Sequence, residues 1–119
     1  MAPNAVLERL SKICLAPPKA TREDSHGHAT FRAAGKKVFA YFLNNHHGDG
    51  IVAVTCKVLP GDNTALAAAD PARFYLPAYI GSRGWVAMRL DVGAIDWDEV
   101  TEFVNHGYKL ITVKTPKKR

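Results

Sequence analysis

Residues 85–90 read W-V-A-M-R-L, and the alternation is strict: Val86, Met88 and Leu90 fall on one side, Trp85, Ala87 and Arg89 on the other. A period of two is what a strand with one face against a core requires, because successive side chains point to opposite faces. Gly81 and Gly84 bracket a short turn just ahead of it, with Ser82 and Arg83 between them. Residues 51–58 repeat the period, with Val52, Val54, Cys56 and Val58 against Ile51, Ala53, Thr55 and Lys57. One face of a sheet therefore meets a core. The other carries a tryptophan and several cations.

The remaining segments follow from local chemistry. Val6, Leu7, Leu10, Ile13 and Cys14 recur at helical spacing, so a first helix is expected from an Asn4 cap to about Leu15, with Glu8 and Lys12 paired on its outer side and Pro17-Pro18 ending it. Residues 21–26 are polar and suit an edge strand or loop, whereas residues 29–33 and 37–43 are β-prone and separated only by a short turn at Ala34-Gly35. The run 44–50 is turn chemistry. Pro60-Gly61 breaks the next strand, and Asp62 or Asn63 is expected to cap a short alanine-rich helix ending before Pro71. A brief strand is expected at 73–76. Asp96 with Glu99 three residues on resembles a capping box for a last helix whose buried stripe is Val100, Phe103, Val104, Gly107, Leu110 and Ile111. Gly107 weakens that helix by about 1 kcal/mol relative to Ala, which predicts close packing or a break there.

Tight turns between the early strands demand antiparallel pairing. The expected fold is a two-layer α+β sandwich in the order α-β-β-β-β-α-β-β-α, with an antiparallel sheet of about five or six strands and helices mainly on one face. Residues 1–113 form one domain, and 114–119 form a basic tail.

At 119 residues the chain suffices for one sizeable core, and its composition is that of a globular protein. No apolar run approaches the roughly 20 residues needed to cross a bilayer, and no signal-peptide pattern opens the chain. Cys14 and Cys56 lie far apart on apolar faces and read as buried free thiols, which with the missing leader suggests the cytoplasm. The net charge is +5, but four cations (Lys114, Lys117, Lys118 and Arg119) sit at the far C-terminus. Residues 32–90 hold seven basic against three acidic groups, and residues 91–102 hold five acidic groups and no basic one. The strand-rich middle is positive, and the start of the last helix is negative.

Several segments together resemble the MmcQ/YjbR family of small bacterial proteins. They are I-C-L-A-P-P-K-A-T near the start, H-G-H-A-T-F-R-A-A-G-K-K-V-F-A at 26–40, D-P-A-R-F at 70–74, G-W-V-A-M-R-L-D at 84–91 and D-W-D-E-V at 96–100. Their order and spacing cover nearly the whole chain. The resemblance implies the fold described above and DNA binding through a double-wing motif.

The candidate site is the basic, aromatic sheet face. Arg32, Lys36, Lys37, Lys57, Arg83 and Arg89 are the expected phosphate contacts, and Trp85 the apolar surface for sugar or base. Lys36 and Lys37 crown a hairpin turn, as a wing requires. The competing reading is that Trp85 packs against the core edge and the cations are simply solvated. A protein-binding or homodimerising module using the same face is the alternative function. His26, His28, His46, His47 and Asp49 lie in or near turns, but nothing fixes a third ligand, so no metal is expected. No nucleophile elbow, Walker loop or dinucleotide fingerprint occurs, so neither enzymatic activity nor a cofactor is expected.

Overall fold

A computed structural model describes residues 2–34 and 36–112. The elements are α1 (Pro3–Cys14), β1 (Ala20–Ser25), β2 (His28–Ala33), β3 (Lys37–Asn44), β4 (Val52–Lys57), α2 (Asp62–Ala69), β5 (Phe74–Tyr75), β6 (Trp85–Arg89) and α3 (Trp97–Thr112). The order matches the expected one. All neighbouring strands are antiparallel, in the spatial order β1-β2-β3-β4-β6-β5. The polar segment at 21–26 is indeed an edge strand. The basic tail lies outside the described residues.

One sheet face carries the main core. Phe31, Phe39, Phe42, Val54, Cys56 and Val86 are each fully buried on it, under Val6, Leu7 and Leu10 of α1 and Val100 and Val104 of α3. Burying each large apolar side chain contributes about 1.5–3 kcal/mol. Phe39 meets Tyr108 of α3 edge to face, with ring centroids 5.0 Å apart. The helix α3 is not broken at Gly107. A Cβ there would lie 3.0 Å from Cys56 Cβ and 3.4 Å from the Lys57 carbonyl oxygen, so the missing side chain is what lets α3 sit down on β4.

Helix starts differ from expectation in two places. The α1 cap is Ala2, with Pro3 opening the helix, so Asn4 falls inside the first turn. Proline suits that position because its absent N–H has no intrahelical partner to lose. Glu8 reaches not Lys12 but Arg22 of β1, which also donates to Ser11 Oγ and Asp24 and so ties the edge strand to α1. Helix α2 is capped by Gly61 in a left-handed conformation; the Asn63 side chain is buried and turned elsewhere. Asp96 does cap α3, accepting from the N–H groups of Asp98 and Glu99 at 3.1 and 3.2 Å. The Glu99 carboxylate is taken by Arg73, at 2.6 and 3.1 Å, instead of closing a capping box.

The second sheet face is covered over β4 and β6. Ala53, Thr55 and Ala87 are fully buried on it, and Trp85 is only 9% exposed. Its cover is residues 76–84, a connection between β5 and β6 that contains a 3₁₀ turn at Ile80–Arg83. Pro77 and Gly81 of this segment are buried. Asn63 Nδ2 donates to the carbonyls of Gly81 at 2.8 Å and Trp85 at 3.3 Å, pinning the segment to the start of β6.

Candidate nucleic-acid interface

Strand register decides which candidate side chains meet. Ala20 pairs with Ala33, Ala33 with Lys37, and Lys57 with Trp85. The start of β1, the β2–β3 hairpin, the end of β4 and the start of β6 therefore share one end of the sheet. Lys19, Arg32, Lys36, Lys37, Lys57 and Arg83 stand at or beside that end, and Lys19 joins it through its carbonyl, which accepts from Ala34 N–H at 3.0 Å. With strands about 4.8 Å apart, the stretch from β2 to β6 spans roughly 14 Å. That is a compact basic end.

The cations there are not equivalent. Arg32 is occupied: Nε donates to Glu23 Oε1 at 2.6 Å and Nη1 to the Lys36 carbonyl at 2.9 Å, which braces the hairpin turn. Lys19, Lys36, Lys37 and Arg83 are exposed, Lys57 half-exposed, and none of the five has an acidic partner among the described residues. Lys57 and Arg83 line a cleft of about 700 Å³ together with Ser82, Gly84 and, from α2, Asn63 and Thr64. The acidic residues nearest in the chain are Glu23, already bonded to Arg32, and Asp62 in the first turn of α2.

Two predicted members do not join this surface. Ala53 pairs with Arg89, which puts Arg89 at the opposite end of the sheet. There its guanidinium is bonded to Asp91 at 2.9 and 3.2 Å. Trp85 is at the basic end, but its ring is buried against Tyr41, with centroids 5.5 Å apart, so it is a packing residue that offers no free face. The aromatic that does reach solvent is Tyr79, 86% exposed on the covering segment. It lies outside every alternating run, between turn-forming residues, so no periodicity marks it. An isolated aromatic in P-A-Y-I-G, next to the glycine turn, was the available signal.

The opposite end is acidic. Asp24, Asp49 and Asp91 are spread along it, at or beside the turns that follow β1, β3 and β6, with Asp24 paired to Arg22 and Asp91 to Arg89. Burial acts to raise the Asp91 carboxyl, but hydrogen bonds from Arg89 and Val52 N–H outweigh it and hold it below the usual range. Tyr75 is pushed up to about 12, first by burial and then by the charge of Asp49. His28 and His46 meet edge to face at 5.1 Å, and His28 Nδ1 accepts from Asn44 N–H at 3.1 Å. Among the described residues no three His, Cys, Asp or Glu side chains group as metal ligands. Burial pushes the thiols of Cys14 and Cys56 well up, so both stay protonated at neutral pH.

A second concavity lies between α2 and α3. It measures about 860 Å³, with Leu66, Phe74, Met88 and Phe103 in its wall and Glu102, His106 and Lys109 among its polar lining. Sequence periodicity gives no hint of it, because it depends on where the weakly amphipathic α2 is set beside α3. Among the described residues no helix is long and apolar enough to cross a membrane.

The fold and these surfaces define a class: a small α+β protein with an open antiparallel sheet, helices on one face and a charge-segregated pair of sheet ends. The crystal structure of Deinococcus radiodurans protein DR2400, which carries a DUF419 domain, is similar with a TM-score of 0.71. That likeness holds at 20% identity over 94% of this chain and 82% of that one, and shows a common fold. The YjbR family model matches residues 15–110, a span that takes in all six strands and α2, and the chain belongs to the YjbR family. No curated protein matches it.

Proposed function

We propose that the chain is a non-enzymatic DNA-binding protein of the cytoplasm that grips phosphates with the basic end of its sheet. The observation that carries this reading is the set Lys19, Lys36, Lys37, Lys57 and Arg83. These five cations lack acidic partners among the described residues and come from separate parts of the chain to one end, while Asp24, Asp49 and Asp91 lie at the other. Such a charge distribution orients a polyanion during encounter and rewards contact through counterion release. The β2–β3 hairpin, with Lys36 and Lys37 at its turn, serves as a wing of the double-wing motif that the family resemblance implies. Arg32 shapes that wing, and Arg89 takes no part.

Binding of nuclease-treated protein to labelled DNA, followed by anisotropy from low to high salt, tests the reading. Five phosphate contacts give a log–log slope of roughly −4 on duplex and a somewhat shallower one on a single strand. The double variant Lys36→Gln, Lys37→Gln lowers the slope by about 2. Affinity that does not respond to salt sinks the proposal.

A second reading, protein binding or self-association, is favoured by the groove between α2 and α3. The covered sheet face no longer supports it, because Trp85 is buried. Sedimentation over a concentration series tests self-association; Phe103→Asp should abolish any dimer seen, and a dimer that survives removes the groove from the interface.

A further inference from the structure

Tyr79 combines two features that core packing does not explain. The residue is 86% exposed, and its backbone sits at φ 66°, ψ −57°, the positive-φ γ-turn conformation that a β-carbon makes costly. Ile80 N–H closes this tight turn onto the Ala78 carbonyl at 2.7 Å, and Ser82 Oγ donates to the Tyr79 carbonyl at 3.0 Å. Glycine would occupy the same backbone with less strain, and the core would lose little: Tyr79 is mostly in solvent and only borders a small pocket of about 190 Å³ with Tyr41, Leu43, His46 and Thr55 on the outward sheet face. Buried Pro77 and Gly81 flank the turn, and Asn63 fixes Gly81 from below, so the ring stands on a rigid base. Arg83 leaves the same segment four residues later, and Lys57 lies beside Gly84, its Cε 3.8 Å from where a Cβ there would be.

We infer that the DNA form this surface takes is single-stranded, with Tyr79 stacking on a base and Arg83 and Lys57 holding the neighbouring phosphates. The inference rests on the DNA-binding reading above and narrows it. A duplex buries its base faces in the stack, so an exposed, rigidly mounted ring gains nothing from it beyond sugar contact. An unpaired base has a free face whatever its identity, and aromatic rings beside a cationic track are how single strands are held.

The test uses the full chain and three labelled oligonucleotides of equal length: a mixed-sequence single strand, its duplex, and an abasic single strand. The wild type should prefer the mixed strand over both others at the same salt. Tyr79→Ala should weaken binding to the mixed strand about ten-fold and leave duplex and abasic binding unchanged, while Tyr79→Phe should bind like the wild type. Tyr79→Gly should lose the same affinity while melting at a higher temperature, which separates stacking from misfolding. Salt-dependent binding to all three oligonucleotides that Tyr79→Ala does not alter overturns this inference and leaves the phosphate-binding reading intact. Absence of salt-dependent binding to any of them removes both.

Discussion

The two faces of the sheet are buried to different extents and by different means: one is closed by helices, the other is covered over β4 and β6 while Thr30, Tyr41 and Leu43 stay half-exposed. On one, α1 and α3 lay regular apolar stripes over Phe31, Phe39 and Phe42, and many side chains share the burden. On the other, a short irregular segment lies over Thr55, Ala87 and Trp85, held by buried Pro77, by Gly81 and by one asparagine. A helix-covered face stays closed through summed contacts, none of them special. A segment-covered face depends on a few polar anchors, and what it exposes at its outer surface is free to meet a ligand.

That contrast can be broken by mutation. Phe39→Ala, on the helix face, should cost about 3–5 kcal/mol in urea denaturation, the range for removing a buried aromatic ring. A cost under 1 kcal/mol would mean that this face is not the main core. Asn63→Ala should cost about 1–3 kcal/mol, because the buried carbonyls of Gly81 and Trp85 lose their side-chain donor. Its signature is local: amide exchange should quicken across residues 76–84 and β6 before it quickens in α1 or α3. Uniform acceleration would show that the segment is no separate unit.

Gly107→Ala tests the seam between the two layers. Helix propensity alone favours alanine by about 1 kcal/mol. The added carbon, however, meets a strand at 3.0 Å, where Cys56 Cβ cannot move without shifting β4. Net destabilisation of roughly 1–2 kcal/mol is expected from overpacking; a rise in melting temperature would mean that the seam is looser than drawn. The smallest effect concerns pH. The Asp24 carboxyl is held low by its Arg22 hydrogen bonds. Asp91 is also held low despite burial. A carboxylate lowered in the folded state stabilises above its unfolded value near 3.9, and that contribution disappears as pH falls through the folded value. Asp91→Asn should therefore flatten the acid limb of the stability curve below about pH 4 while changing its neutral plateau less than the core variants do.

Much of the fold is legible in the sequence because it is written in short-range periodicity. The alternation at 51–58 and 85–90, the polar edge at 21–26 and the acidic start of α3 each specify their element locally. The candidate site is legible only in part. Lys36 and Lys37 announce themselves by standing at a hairpin turn. Arg32 and Arg89 look equally available, yet each has a carboxylate in the fold, Glu23 or Asp91. Trp85 shares the outward phase of its strand with Arg89, and alternation cannot say that another piece of chain lies over it. Asn63 reads as a helix cap because that is what asparagine does before an alanine run; its anchor role needs Gly81 and Trp85 brought to it from about twenty residues away.

By itself, then, the sequence determined the element order, the antiparallel pairing and the side of each strand that meets the helices, since all three depend on neighbours within a few positions. Only the tertiary structure decided that the outward side is partly roofed over, that the cations without acidic partners share one end of the sheet, and that Tyr79 takes the exposed place first expected for Trp85. Those outcomes come from register and from the path of a loop, which bring together residues that no local pattern connects.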